Sequence, residues 1–471
     1  MLSDPAHNLS LEELDKRAFL HPFTQLADHK KTGPRIMAKG SGVHVWDSHG
    51  RRYIDGAAGL WCVNVGYGRA EIVEEIREQA SRLPFFHSFS SMSNEPAIRL
   101  SNRILGFAPQ GMSKVFFGNS GSDANDTNVK LVWYYNNLRG KPKKKKIISR
   151  QRGYHGVTVA AGSLTGLPMV HDAFDLPIPQ VLHTRAPDIY RDKPAGFSDQ
   201  DFARQLAAEI DALVKREGPE TVAAFIAEPV MGTGGVLLPP EQYFQEIRNV
   251  LDRHDMLMIA DEVICGFGRL GSWFGCQHYG IRPDLMTIAK GLTSGYLPMS
   301  ASVLSEEIWE VISNAPTEIG PFGHGYTYSG HPVAAAAALA NIDILENEKL
   351  IDVARVTGAI FKRRLRETFA DHPLVGDIRC EGLMAGVELV ADKANKTIFD
   401  PSLKVGPRVM KQGYEEGVIV RALPHGSTIA ISPPLVITLA EIEELLSGLK
   451  KSLDTIVDQL VREGDWRDRN Q

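Results

Sequence analysis

With 471 residues, 43% of them hydrophobic and 23% charged, the chain is too long for one simple core and suits a large domain beside a smaller one. A formal net charge of -5 excludes a general attraction to nucleic acid or to an anionic membrane surface. Four cysteines without a Cys-x-x-Cys pair exclude a disulfide framework.

The N-terminus lacks the charged-then-apolar pattern of a signal peptide, and no apolar stretch approaches the ~20 residues of a membrane span, so the expected location is cytoplasmic. Ser10-Leu11-Glu12-Glu13 has capping-box spacing and predicts a short helix that stops before Pro22. Residues Val43 to Tyr53 alternate as small antiparallel strands do. From about residue 66, short apolar runs alternate with helical segments: Lys114–Gly118, Lys146–Arg150, Val222–Glu228, Met256–Asp261, Leu285–Ala289 and Ala301–Leu304. Between them, Tyr243, Phe244, Ile247, Val250 and Leu251 recur at helical spacing. This rhythm predicts an α/β fold with a mostly parallel sheet covered on both faces. The lysine run 143–146 reads as a solvated loop entering a strand, and the Pro-rich stretch Leu176 to Pro194 reads as a surface loop. After Pro332 come helices over Val333–Leu345 and Leu350–Phe369, the segment Leu374–Leu389, a helix around Val405–Glu416, two short strands and a helix from Ala440. The expected division is an N-terminal segment (1–65) joining the small domain, a large domain (66–332) and a C-terminal small α+β domain (333–471).

Three features carry chemistry. First, the apolar strand Leu257–Asp261 ends in Asp261-Glu262-Val263, and the next one ends in Lys290-Gly291. Ligands bind at the carboxyl ends of such strands. A desolvated lysine there would be a nucleophile able to hold an aldehyde cofactor as a Schiff base, while Asp261 would keep a ring nitrogen protonated. A buried Lys290–Asp261 salt bridge is the competing reading, and these residues alone leave both open. Second, Asn119-Ser120-Gly121-Ser122-Asp123 joins a strand to a helix whose buried face is marked by Ala124, Thr127, Leu131, Tyr135 and Leu138. Its N–H groups and hydroxyls would form a phosphate cup, though an ordinary Ser/Gly turn with an N-cap accounts for the segment as well when it is taken alone. Third, Tyr154-His155 lies between glycines, Glu228 ends another strand, and residues 325–332 are rich in hydroxyls and glycine. His324, His331 and the Asp261-Glu262 pair lack metal-ligand spacing, so no metal is expected.

Together the runs FFGNSGSDANDT, RGYHG, AEPVMGTGG, LMIADEVICGFGRLG, DLMTIAKGLTSGYLPMSA, HGYTYSGHP and VRALPHGSTIAISPP resemble the class III pyridoxal-phosphate-dependent aminotransferases, most closely the omega-amino acid or amine:pyruvate branch. The resemblance runs from about residue 20 to the C-terminus. It implies fold type I, a large seven-stranded sheet domain with a small domain, and a homodimer with active sites at the interface. It implies pyridoxal 5'-phosphate on Lys290, with Asp261 at the pyridine nitrogen. Tyr154 and Val263 would lie on the two ring faces. Ser120, Gly121 and Ser122 would hold the phosphate, joined by Thr327 of the partner subunit. Glu228 would support the network around Asp261 and His155, and Arg421 would receive a substrate carboxylate. Trp61, Phe89 and Phe23 are the aromatic pocket candidates. Where many relatives have Glu this chain has Asp123, and where they have Gln it has Ile264; the apolar Ile264 fits the amine:pyruvate branch better and weakens an ornithine or 4-aminobutyrate assignment. An aminomutase, racemase or decarboxylase shares these motifs and stays open as an alternative, as does a cofactor-binding protein without turnover.

Overall fold

The computed structural model describes residues 9–467 apart from Gly426. Its centre is a seven-stranded sheet formed by β1 (Met112–Gly118), β2 (Lys146–Arg150), β3 (Val181–Thr184), β4 (Val222–Ala227), β5 (Leu257–Asp261), β6 (Leu285–Ile288) and β7 (Ser300–Ser305). The spatial order is β1-β7-β6-β5-β4-β2-β3. β7 runs antiparallel to both its neighbours, and the other pairings are parallel.

Every residue of β4 to β7 is buried. These strands can be apolar on both faces because helices cover both. In β4, Ala224 and Ile226 join the cluster that holds Val129, Val132 and Tyr135 of helix Gly121–Leu138. Phe225 and Ala227 point the other way, into the cluster with Phe202 and Leu206 of helix Asp199–Glu217 and Phe244 and Ile247 of helix Tyr243–Arg253. Two-residue alternation along the strand thus sorts its side chains between two helical layers.

The strand β3 corrects the expectation of a loop over 176–194. It has only four residues and lies between Pro179 and Pro187, so the prolines hid it, yet it pairs with β2 from Ile147↔Val181 to Arg150↔Thr184. The lysine run needs a second correction. Lys144 is buried, and its ammonium donates to the carbonyls of Val222, His254 and Asp255, each at 2.8 Å. It ties the amino end of β4 to the turn before β5. Desolvation lowers its pKa to about 8.

Strands Met37–Ser41, His44–Asp47 and Arg52–Asp55 form a second sheet, closed by Val418–Ile419 pairing in parallel with Arg52–Asp55. The chain's beginning and its last third therefore share one sheet. The stretch 374–389 is a hairpin, Val375–Glu381 with Met384–Leu389, continued by Thr428–Ile431 and Arg421–Ala422. Helices Val405–Glu415 and Leu439–Glu463 pack together against this region. The alanine-rich helix Pro332–Asn347 lies on helices Ala70–Arg82 and Glu95–Phe107, so its contacts run back across the boundary expected at 332/333. No helix among the described residues is long and apolar enough to cross a membrane.

Candidate active site

The carboxyl ends of β1, β4, β5 and β6 converge on one cavity lined by Gly121, Ser122, Tyr154, Glu228, Asp261 and Lys290 among others. At the end of β1 the chain turns into helix Gly121–Leu138. Ser120 is its N-cap: its Oγ accepts from Asp123 N at 3.2 Å, and the Asp123 carboxylate accepts from Ser120 N and Asn119 N. Asp123 also accepts from Ser300 Oγ at 2.9 Å, so the shorter acid found here in place of Glu completes the cap. A side chain at Gly118 would put its Cβ 2.5 Å from Asp123 Oδ1, which leaves only glycine there. Gly121 and Ser122 hold the first two helical positions, whose N–H groups have no acceptor within the helix and carry its positive end.

Asp261 ends β5. Its Oδ2 accepts from Asn125 Nδ2 at 2.9 Å and from His155 Nδ1 at 2.8 Å, and Oδ1 accepts from Val263 N at 3.1 Å. Thr287 Oγ1 donates to Asn125 Oδ1 at 2.6 Å while accepting from Asn128 Nδ2 at 2.7 Å, which fixes the Asn125 amide with its N–H toward the carboxylate. Asn125, Asn128 and Thr287 were missed from sequence. The available signal was polarity in the wrong place, since two asparagines three residues apart lie on the apolar face of a helix. Strand alternation sends Glu262 away from the cavity. It caps helix Gly275–Tyr279 by accepting from Gly275 N and Cys276 N, and burial raises its pKa to about 7. Asp261 and Glu262 are therefore not a pair. Glu228 accepts from Tyr154 N at 3.1 Å and Gly232 N at 2.8 Å. Burial raises its pKa, opposed by His155 and Arg150.

Lys290 follows β6 with φ 44, and nearby Trp61 and Phe23 have φ 60 and 49. Lys290 and the buried Trp61, both in the left-handed region, mark strain that the surrounding fold holds. Lys290 Nζ lies 5.7 Å from the centroid of the buried Trp61 ring, and the Arg421 guanidinium lies 5.1 Å from the same centroid. Burial chiefly, with Arg421 adding to it, lowers the Lys290 pKa against the pull of Cys62 and Asp261. Phe23 meets Tyr154 edge-on at 6.4 Å. Val263 packs close to Gly121, where an added Cβ would lie 3.1 Å from it. Ile264 shares an apolar cluster with Trp61.

The structure thus brings together Ser120, Gly121, Ser122, Tyr154, His155, Glu228, Asp261, Val263, Lys290, Trp61 and Arg421, with Phe23 at the edge. It does not bring Phe89 or Thr327 into this cavity within one chain. Phe89 lines a separate surface groove beside Gly325, and Thr327 is exposed. The loop Pro424-His425-Gly426-Ser427 after Arg421 includes Gly426, which lies outside the described residues. A flat, phosphorylated heteroaromatic aldehyde fits this donor set. A helix N-terminus meets the phosphate, a fixed carboxylate meets a protonated ring nitrogen, and an amine of lowered pKa meets the aldehyde.

Residues 26–453 match the family model for class-III aminotransferases. The chain is 52% identical to an uncharacterized aminotransferase of Sinorhizobium fredii, over 96% of this chain and 98% of that one. It is 49% identical to the diaminobutyrate–2-oxoglutarate transaminase of Halomonas elongata (96% and 98%). It is 45% identical to the putrescine–pyruvate aminotransferase of Pseudomonas aeruginosa (94% and 95%). Among solved structures, the omega transaminase of Pseudomonas jessenii in complex with PMP superposes with a TM-score of 0.94 at 45% identity, covering 96% of this chain and 99% of that chain.

Proposed function

The chain belongs to the class-III aminotransferases, enzymes that depend on pyridoxal 5'-phosphate, and from that premise we propose that it moves the amino group of an ω-amino acid or amine onto pyruvate. The products are alanine and an aldehyde or ketone. When bound, the cofactor supplies an aldehyde to take up the amine and a protonated ring to draw off electrons.

The remaining work falls to this chain's side chains. The N–H groups of Gly121 and Ser122, with the Ser120 hydroxyl, would hold the phosphate at the helix N-terminus. Asp261, fixed by His155, Asn125 and Val263 N, holds the proton on the ring nitrogen. Tyr154 and Val263, which line the cavity, would flank the ring. Lys290 takes the proton from the amine-bearing carbon of the substrate and returns one in the reverse half, a role for which its lowered pKa suits it. Arg421 receives the carboxylate of pyruvate, and Trp61, Tyr154 and Phe23 receive the apolar part of the amine.

The observation that carries this reading is the buried Asp261–His155–Asn125 cluster beside Lys290 at neighbouring strand ends. Pyruvate is the acceptor of this proposal because Arg421, over the same Trp61 ring as Lys290, offers one cation to a single carboxylate. The names of the relatives, putrescine–pyruvate and diaminobutyrate–2-oxoglutarate, make diamines the first donors to try. The relatives and the solved structure named above are aminotransferases, which lends nothing to the mutase, racemase or decarboxylase alternatives. A homodimer belongs to the same proposal, with Thr327 of the partner subunit completing the phosphate site. So does a cytoplasmic location, in keeping with four free cysteines.

The test is alanine formation from an amine panel, with pyruvate and 2-oxoglutarate compared as acceptors. Lys290→Ala should lose turnover and the visible absorbance of the bound cofactor. A variant that keeps both would remove Lys290 from the mechanism.

A further inference from the structure

Helices Leu11–Ala18 and Leu26–Thr32 bracket the turn that carries Phe23. Neither helix contains a buried residue, and at eight and seven residues neither is stable by propensity alone. Three side chains meet between them: Asp15 from the first helix, His29 from the second and His21 from the turn. His21 Nε2 lies 2.9 Å from both oxygens of Asp15, and His29 Nε2 lies 3.1 Å from Asp15 Oδ1. One ligand atom from each side chain lies within 4.8 Å of the other two. The His29 Nε2 atom is buried and has no hydrogen-bond partner, so its closeness to Asp15 is not a hydrogen bond. The imidazole rings sit 4.4 Å apart, and Phe19 covers His21 at the same distance.

As placed, both oxygens of the Asp15 carboxylate face His21, and His29 Nε2 is left without a hydrogen bond. A divalent cation that takes nitrogen and oxygen together accepts all three. Two imidazoles and a carboxylate are zinc ligands, and tetrahedral bonds of about 2.0–2.2 Å place such atoms about 3.3 Å apart. The separations of 2.9 and 3.1 Å need open only slightly to reach that. Side-chain exposures of 16%, 23% and 11% for Asp15, His21 and His29 leave an entry path and room for a water ligand.

We propose that Asp15, His21 and His29 form a zinc site that clamps the N-terminal segment and fixes Phe23 beside the active site. Phe23 is 60% exposed and strained at φ 49, so its own packing does little to hold its ring 6.4 Å from Tyr154. A metal joining the two flanking helices supplies the missing restraint. The spacing of six and eight residues matches no short metal motif, which is why the sequence suggested no metal.

Untagged holoenzyme titrated with zinc chloride in a calorimeter should bind about one ion per chain. Loss of outer-shell partners alone weakens metal sites up to about 100-fold, so Asp15→Ala and His29→Ala should weaken binding at least that far. Zinc should also slow tryptic cleavage at Lys16, Arg17, Lys30 and Lys31 in the unaltered chain and not in His29→Ala. His21→Ala gives the same reading should either variant fail to fold. Binding that all three variants retain, or no binding below millimolar zinc, would show a plain hydrogen-bonded cluster and overturn the proposal. Neither readout depends on the enzyme's substrate.

Discussion

Arg421 stacks on Trp61, and among the described residues it makes no ion pair or hydrogen bond through its side chain. Burial lowers its pKa, yet a guanidinium keeps its charge, so a partly buried cation stands ready for an anion. Pyruvate brings a carboxylate and a simple amine brings none. Arg421→Ala should therefore slow the pyruvate half-reaction by about 2–3 kcal/mol of lost charge-assisted bonding and change the amine half-reaction much less. Single-turnover kinetics of each half would check this, and equal losses would remove Arg421 as the carboxylate receptor. His183 gives a prediction about pH. Burial, with His171 and His155 adding to it, lowers its pKa to about 4, below the ~6.5 of an unfolded chain. Between those values the unfolded chain binds a proton that the folded one refuses, so this stabilisation is whole above about 6.5 and is lost as pH falls through 4. The melting-temperature gap between the unaltered chain and His183→Gln should narrow from pH 7 to pH 4.5, and a constant gap would refute the assignment.

At the scale of elements, helix Gly121–Leu138 begins in close approach to the loop after β2, and the proposed phosphate site lies at that start. Gly156 has φ 128, and a Cβ there would lie 2.4 Å from Ser122 Oγ and 2.8 Å from Ser122 Cα. Gly156→Ala must push the first turn of the helix off its position, at about 1–3 kcal/mol for the overpacking. Retention of cofactor on dialysis, followed by its absorbance, should fall about tenfold or more while the far-ultraviolet circular dichroism is kept. Normal retention would mean that the helix start does not hold the phosphate. The strand-to-helix junction at Ser120 was legible because Gly, Ser and Asp are common where a helix begins. β3 was not legible, because a four-residue strand between prolines owes its existence to the edge of β2 rather than to its own pattern.

At the scale of the molecule, Phe89 and Thr327 are exposed on their own chain, and Phe85, Phe86, Met92, Phe322 and Tyr328 are exposed large apolar residues from the same two segments. Apolar exposure of this extent suits a face that a second copy covers. A hybrid experiment tests that arrangement. Thr327→Ala and Lys290→Ala homodimers should each be impaired, and mixing their subunits should restore activity. Each hybrid then holds one site with Lys290 from one chain and Thr327 from the other. Failure of mixed subunits to gain activity, despite exchange seen by mass spectrometry, would place Thr327 outside the partner's site.

The sequence by itself determined the strand-helix rhythm, the buried strands β4 to β7 and the candidate residues at their ends, because alternation, apolar runs and a lone lysine after one of them are local patterns. It also carried the ordered motifs that mark the family. Tertiary structure decided the rest. Nothing near Lys144 in sequence announces the three carbonyls that bury it, since they come from residues 222, 254 and 255. Nothing near Asp261 names Asn125, which reaches it from a helix 136 residues earlier. Hydrogen bonds between distant segments leave no period in the chain, and only folding brings their donors and acceptors within 3 Å of one another.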